Sequence, residues 1–526
     1  MKTIIKSIKG LAAVSVVSLT LAGCSEDVMD GINRDPNHTN GVEAKFILAD
    51  AITSTAFSNV SGDFNTYASS YIEYEVGIDN QLYNAEIRLN EPSAASTFDN
   101  IWGNVYTSLK NARIIIDQCQ EGKRDEGNIV TRGIAKVLVA YNGALIADMF
   151  GDTPFSQASL VDEMGLPVYM NPKIDKQEEI YISLMSTLDE AIEDLQQSNK
   201  TSLGTYDLLY GKDSAKKWIK FAYGLKARYT MRQIKRSKDV TGDMNKVLEY
   251  VSKSFASADE QAAYAIYDGG NINPFFGFFD SRGAFANSQS LTDKLIERKD
   301  PRLERVMLSP YIERGKDMIR VQVTGKDDKN LAPAPNGNPD QSMTKYGVSS
   351  FVYSFTAPTM LMSYHELLFL KAEALCRLNR ANEAEEALKD AVVAGLMNAE
   401  VSVSSAITYL DADIVVNSEE MTEETAAEYF DNNVEPLFQA NPLKETMIQK
   451  YLALWGASGE ATETYNDVRR LKALGEDFIT LKNTNKFPLR LPYGNSDVVA
   501  NPDLKAAYDD GKYVYTENVW WAGGTR

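Results

Sequence analysis

The chain has 526 residues, enough for about three average domains or one large repetitive one. Its 44% hydrophobic and 24% charged residues supply a sizeable core and exclude global disorder. The formal charge of −19 argues against nucleic acid as a partner, and two histidines (His38, His365) with three cysteines (Cys24, Cys119, Cys376) leave little for His-based catalysis, Cys/His zinc sites or a disulfide framework.

At the N-terminus, Lys2, Lys6 and Lys9 precede a short apolar run, Leu11 to Leu21, which is too short to span a bilayer as a stable helix. The run closes on Leu21-Ala22-Gly23-Cys24, which resembles a bacterial lipobox. Residues 1–23 are therefore read as a lipoprotein signal peptide, with Cys24 as the lipid attachment site. Two or three acyl chains at about 0.8 kcal/mol per methylene give a stable anchor. Ser25-Glu26-Asp27 places acids directly behind the lipid, a pattern similar to surface-export signals of some Gram-negative lipoproteins. Residues 24–43 are a tether and N-terminal segment, and 44–526 a single domain. No later stretch approaches 18 unbroken apolar residues, so the membrane is met through the lipid alone.

From Ala44 onward the periodicity is helical. Stripes at three-and-four spacing run through Phe98, Ile101, Trp102, Val105 and Leu109, then Ile134, Val137, Leu138, Tyr141 and Leu145. Others follow Leu184 to Leu195, Trp218 to Tyr229, Met244 to Phe255 and Met447 to Trp455. Leu367, Leu370, Ala374 and Leu378, a polar turn at Asn379–Asn382, then Ala384, Ala387, Leu388 and Ala391 resemble one tetratricopeptide unit. The fold class expected is mostly α, a scaffold of helical pairs with a few short strands. Cys119 and Cys376 fall in helical patterns and read as buried, unreactive thiols. The rhythm breaks in an irregular insert, about 264–350, and in a turn-rich tail, about 486–526. Alternating runs at Met318–Val323 and Phe351–Phe355 suggest hairpin strands. Long irregular segments in a compact protein often carry function, so the binding surface is expected there.

Several blocks carry a family resemblance in order along the chain. They are Ile32-Asn33-Arg34-Asp35-Pro36-Asn37, Asp148 through Phe155, Trp218 through Arg232, Asp300-Pro301-Arg302-Leu303, Leu361 through Leu375, Gln449-Lys450-Tyr451, Tyr465 through Arg470, and Val519-Trp520-Trp521. Together they resemble the SusD/RagB family of nutrient-binding outer-membrane lipoproteins, in its SusD-like subgroup. Ala522 and Asp497 depart from the pattern, where an acid and Glu are expected. The resemblance implies about four tetratricopeptide-like pairs and a loop-rich half presenting a ligand site. It also implies a TonB-dependent SusC-like barrel as partner, an oligosaccharide or in some members a peptide as cargo, an outer-membrane location and no cofactor. A structural Ca²⁺ is not readable from the sequence.

Most blocks read as structural: Gly151-Asp152-Thr153-Pro154 as a turn after a helix, Asp300-Pro301-Arg302 as a turn with an ion pair, and His365 as a scaffold residue. The candidate ligand residues are aromatics outside the periodic stretches. Phe275, Phe276, Phe278 and Phe279 sit between Gly and Pro breakers, with Asn273, Asp280 and Arg282 as polar neighbours. Aromatic plates with polar rims suit the C–H faces and hydroxyls of a sugar; the alternative is a local hydrophobic mini-core. Tyr71, Tyr74 and Tyr83 form a second candidate cluster. An enzyme reading stays open through paired carboxylates, since glycosidases leave little motif. No Gly-x-Ser-x-Gly, phosphate-loop, dinucleotide or HExxH motif occurs, and stacked helical repeats, which make extended recognition surfaces, favour a binding protein.

Overall fold

The computed structural model describes residues 41–89, 97–212, 214–409 and 414–526. Cys24, the signal peptide and most of the tether lie outside the described residues. Ala44–Arg526 forms one unit of contacts.

The predicted stripes become helices at their expected places. In chain order the elements used below are α1 (Ala44–Ser54), α2 (Asp63–Tyr71), α3 (Thr97–Gln118), α4 (Ile129–Phe150), α5 (Gln177–Leu195), α6 (Ala215–Arg232) and α7 (Val240–Ser252). After them come α8 (Pro274–Arg282), α9 (Tyr364–Arg377), α10 (Ala381–Tyr409), α11 (Pro442–Ala453) and α12 (Ala461–Leu474). Consecutive helices pack on one another, α3 on α4, α4 on α5, α5 on α6, α6 on α7 and α9 on α10, with α11 against both α9 and α10. One-sided apolar stripes require such partners, because a single helix cannot bury its own. Local chemistry sets the ends. The Ser363 and Asn441 side chains accept from the backbone N–H of Glu366 and Lys444 at the starts of α9 and α11. Gly151 ends α4 at φ +78, against the Arg490 guanidinium, where a side chain has no room.

By length and average composition α4 and α10 are apolar enough to cross a membrane, although neither is an unbroken apolar run. Their most apolar stretches are 78% and 50% buried within the body. α4 also carries Arg132 and Lys136, which reach Asp194 on α5 at 2.7 and 2.9 Å. It is a core helix of the scaffold.

The sheets are small. β1 (Glu75–Gly77) pairs antiparallel with β3 (Phe285–Asn287), and β2 (Ala262–Tyr264) with β6 (Thr359–Met362). β4 (Ile312–Arg314) and β5 (Asp317–Val321) form the hairpin expected near Met318, and β7 (Ile414–Val415) adds parallel to β5. The second expected strand, Phe351–Phe355, is not one: Ser350–Tyr353 is a 3₁₀ turn whose rings point into the core.

A polar seam runs through the apolar scaffold, and the family-like blocks supply most of it, with Tyr181, Arg377, Glu460 and Glu463 from outside them. Arg228 of α6 clasps Glu366 of α9, with Nε 2.8 Å from Oε1, and donates to the Leu361 carbonyl at 2.9 Å. Arg232 bonds Glu463 and lies 3.4 Å from Asp148, whose carboxylate also accepts from the Tyr181 hydroxyl. Arg470 grips Glu373 at 2.5 and 2.8 Å and Asp467 at 2.9 Å, while Lys450 reaches Asp467 at 2.7 Å. Burial alone would raise the Glu373 carboxyl. Arg470 and Arg377 outweigh it and hold the group at about 2. Asp467 is likewise held well below the usual range against burial by Lys450 and Arg470. His365 is buried with Nε2 3.3 Å from Glu460, a scaffold position. Asp300 and Arg302 form a buried bidentate pair at 2.8 and 2.6 Å. The tail docks on the same scaffold, where Asp497 accepts from Trp102 Nε1 at 2.7 Å and Arg469 stacks on Trp521 at 4.9 Å.

Candidate ligand-binding face

The phenylalanine segment is a helix, not a loop. Asn273 is its N-cap, accepting from Phe275 N–H at 2.8 Å, Pro274 occupies the first turn, and Gly283 closes it at φ +58. Those three residues are the start and stop signals that the expectation of an irregular segment passed over. Asn273 is fully buried and donates to the carbonyls of Ala357 (2.8 Å) and Ala457 (3.1 Å), so its side chain is committed to fixing α8.

All four rings are buried, which corrects the expectation of surface plates. Phe275 and Phe278 pack on Phe285 of β3, with centroids at 5.2 and 5.7 Å. Phe276 meets Phe355 at 6.2 Å and Tyr409 at 4.8 Å, and Phe279 meets Tyr353 at 5.2 Å edge-on. Full burial of each ring stabilises by about 1.5–3 kcal/mol, more than an exposed position can return. The rings form the mini-core that was the alternative reading. Asp280 and Arg282 stay exposed at the end of α8, the Arg282 guanidinium 4.7 Å over Phe278. Burial raises the Asp63 carboxyl, and the nearby Arg282 charge opposes that rise.

The tyrosine set does not form one cluster. Tyr71 is buried at the end of α2 beside Tyr465 (6.0 Å), with the Arg88 guanidinium at 5.5 Å. Tyr74 is buried, its hydroxyl bonding the Tyr451 carbonyl and lying 2.8 Å from Thr464 Oγ1. Tyr83, on the helix Asn80–Ile87, is half-buried.

The open rings lie at two edges of the α8 mini-core, on residues the sequence did not single out. Tyr311 is 40% exposed; the Arg320 guanidinium lies 3.9 Å from its centroid, and its hydroxyl is 3.3 Å from that of Tyr353. Arg320 is itself held by the Ser309 carbonyl at 2.7 Å. Tyr409, 45% exposed at the end of α10, leans on Phe276 and Phe355, the latter at 5.1 Å. Burial and the charge of Asp280 both raise its hydroxyl. Tyr409 is backed by the buried Phe276 ring and the partly buried Phe355 ring, Tyr311 by the Arg320 guanidinium and the Tyr353 hydroxyl, and each stays partly open. Such rings are rigid, one-faced surfaces with a polar edge, and Asp280 and Arg282 supply charged donors and acceptors nearby. A tyrosine next to a breaker (Pro310) and one at the end of a long stripe were the only sequence signals for them.

Behind the face, Glu75 of β1 is fully buried with no cation against it. Its Oε1 accepts from Ser349 Oγ (2.8 Å) and Trp455 Nε1 (3.2 Å), and Oε2 has no partner. Burial pushes this carboxyl up to about 8. Burial also pushes the Cys119 thiol up to about 12, which makes it inert at neutral pH. Among the described residues no group of three or more His, Cys, Asp or Glu is placed to hold a metal ion.

The structure is a mostly helical scaffold of stacked pairs with half-exposed tyrosines at two edges of α8. Comparison with known proteins gives the family. Residues 36–494 match a SusD-like family model described as starch-binding and associating with the outer membrane. The chain belongs to this SusD-like family. It is similar, at 62% identity and a TM-score of 0.88, to a crystal structure of a SusD/RagB family protein from Bacteroides thetaiotaomicron, covering 92% of this chain and 100% of that one. At 18% identity and a TM-score of 0.64, a chitin-binding SusD homolog from Flavobacterium johnsoniae shares the fold over 91% of this chain and 98% of its own. A SusD homolog from Bacteroides vulgatus does so at 20% identity and 0.65, over 91% and 98%. A comparison with curated proteins found no match.

Proposed function

We propose that this protein captures an oligosaccharide at the outer surface of the outer membrane, unaltered, and passes it to a TonB-dependent SusC-like barrel. The observation that carries the reading is the pair of half-exposed tyrosines, Tyr409 braced on Phe276 and Tyr311 held by Arg320 and the Tyr353 hydroxyl, in a chain of a starch-binding, outer-membrane-associated family. Asp280 and Arg282 are the polar contacts in this reading; Phe276 acts by bracing Tyr409, Phe279 by packing on Tyr353, and Phe275 and Phe278 by fixing α8 on Phe285. Tyr83 is a peripheral candidate. The energy for uptake belongs to the partner, and binding needs no cofactor.

The anchor in this reading is Cys24, lipid-modified after removal of residues 1–23, with 24–43 as tether. Cys24→Ala is expected to release the protein from the membrane fraction, read by fractionation and immunoblot. Binding is tested by isothermal titration of the chain with starch and chitin oligosaccharides, alongside product analysis. Heat of binding without cleavage products is expected. Turnover, or binding of peptides in place of every glycan, overturns the reading.

A further inference from the structure

Ten consecutive residues, Asp162–Asn171, are exposed, and five are large and apolar: Met164, Leu166, Val168, Tyr169 and Met170, from 44% exposure at Tyr169 to 79% at Met170. Soluble surfaces rarely present so much contiguous apolar side chain without a partner. The segment is not a loose loop. Asp162 Oδ1 accepts from the N–H groups of Met164 and Leu166, both at 2.9 Å, and the Asp162 N–H donates to the Leu166 carbonyl at 2.9 Å. Val168 N–H donates to the Leu160 carbonyl at 2.9 Å, and Gly165 takes φ +80 at the turn. The base is pinned where Asn501 Nδ2 donates to the Pro172 carbonyl at 3.0 Å, two residues from the exposed Val499. The backbone network thus holds the apolar side chains outward as a knob.

The position of the knob indicates what it meets. Glu163 lies 3.2 Å from Lys123 Nζ, and in the same turn Asp125 accepts from the Ala44 N–H at 3.2 Å. Ala44 is where the body meets the tether, so the knob and the root of the tether share one side. In the lipid-anchored reading, twenty residues of tether reach at most about 70 Å, so that side stays within about this distance of the membrane. Bilayer insertion suits the knob poorly. Asp162 and Glu163 adjoin Met164, carboxylates are costly in hydrocarbon, and a chain of charge −19 is repelled by anionic lipid. An apolar cleft in a protein, rimmed by Lys or Arg, accommodates both the apolar side chains and the acids. Adaptable Met and amphipathic Tyr are residues that protein interfaces favour.

We infer that the Asp162–Asn171 knob docks into such a cleft on the outer surface of a membrane-embedded partner protein. The inference rests on the partner reading above and adds the surface that engages it. The test places a photo-crosslinking residue at Met164 or Met170, and separately at Tyr311 and Met318, in the full acylated chain in its native outer membrane. Adducts are identified by mass spectrometry. A barrel protein is expected in the Met164 and Met170 adducts. Met164→Asp with Met170→Asp is expected to lower co-purification with that barrel at least tenfold, with melting temperature and glycan affinity unchanged. Lipid adducts, adducts to a second copy of the chain, or no adduct at the knob overturn the inference. If the barrel is caught only from the other positions, the inference fails while the proposed function stands. If no barrel is caught from any position, both fail.

Discussion

The polar seam and the α8 face use similar residues for opposite purposes. In the seam, Arg228, Arg232, Arg470, Glu366, Glu373, Glu463 and Asp467 are buried, each charge answered by another across two or more helices. Around α8 the buried groups are rings, and the charges, Asp280 and Arg282, face outward. Buried ion pairs add little net stability over apolar packing but penalise any arrangement that separates the partners. The seam therefore specifies which helices meet. The aromatic bed specifies no partner by charge, but it is stiff, and stiffness is what an exposed ring needs to bind without a large ordering cost.

The comparison is broken most severely in the seam. Glu373→Ala removes the carboxylate that Arg470 and Arg377 share, leaving Arg470 with Asp467 and Arg377 with Glu476, and a loss of about 3 kcal/mol is expected in urea unfolding. In acid the same carboxylate has a defined signature. With its folded value near 2, below the ordinary 4.5, its contribution is present above about pH 4.5 and lost as pH falls toward 2. Glu373→Gln flattens that limb of the stability curve. Phe276→Ala comes next, at about 3 kcal/mol from the cavity. It is expected to weaken glycan binding as well, because Tyr409 loses its support.

Glu75 sharpens the contrast, being a buried carboxyl without the cation that every carboxylate of the seam has. Its folded value of about 8 lies above 4.5, so its neutral form contributes fully below about pH 4.5 and that contribution is lost as pH rises toward 8. Melting temperature is expected to fall through that window in the native chain, and Glu75→Gln is expected to remove the slope. The smallest effects belong to the face itself. Tyr311→Ala and Tyr409→Ala should each cost about 1 kcal/mol of binding, roughly fivefold, with stability nearly unchanged. Unaltered affinity in both variants moves the ligand site away from α8.

Much of the scaffold was legible. The stripes from Phe98 to Ala112 and from Leu367 to Ala391 report the side of each helix that meets a neighbour, and this depends on spacing alone. The site was legible only in its neighbourhood. The Asn273-Pro274 start and Gly283 stop of α8 were present as signals, but four phenylalanines in nine residues suggested an irregular plate. Rings at helical positions 275, 276, 278 and 279 cover two flanks, and a helix apolar on two flanks is buried, not exposed. Tyr311 and Tyr409, 98 positions apart, flank α8 only because the chain before the β4–β5 hairpin reaches Tyr353, which packs on Phe279, while the end of α10 reaches Phe276.

The sequence by itself determined the helices, their buried stripes, the turn at Gly151 and the family-like blocks, because each follows from interactions within a few residues or from a residue pattern along the chain. Tertiary structure decided which charges pair, which rings are covered and which tyrosines stay open. Those outcomes depend on contacts between residues tens to hundreds of positions apart, as with Arg228 and Glu366 or Arg232 and Glu463, and spacing along the chain carries no record of them.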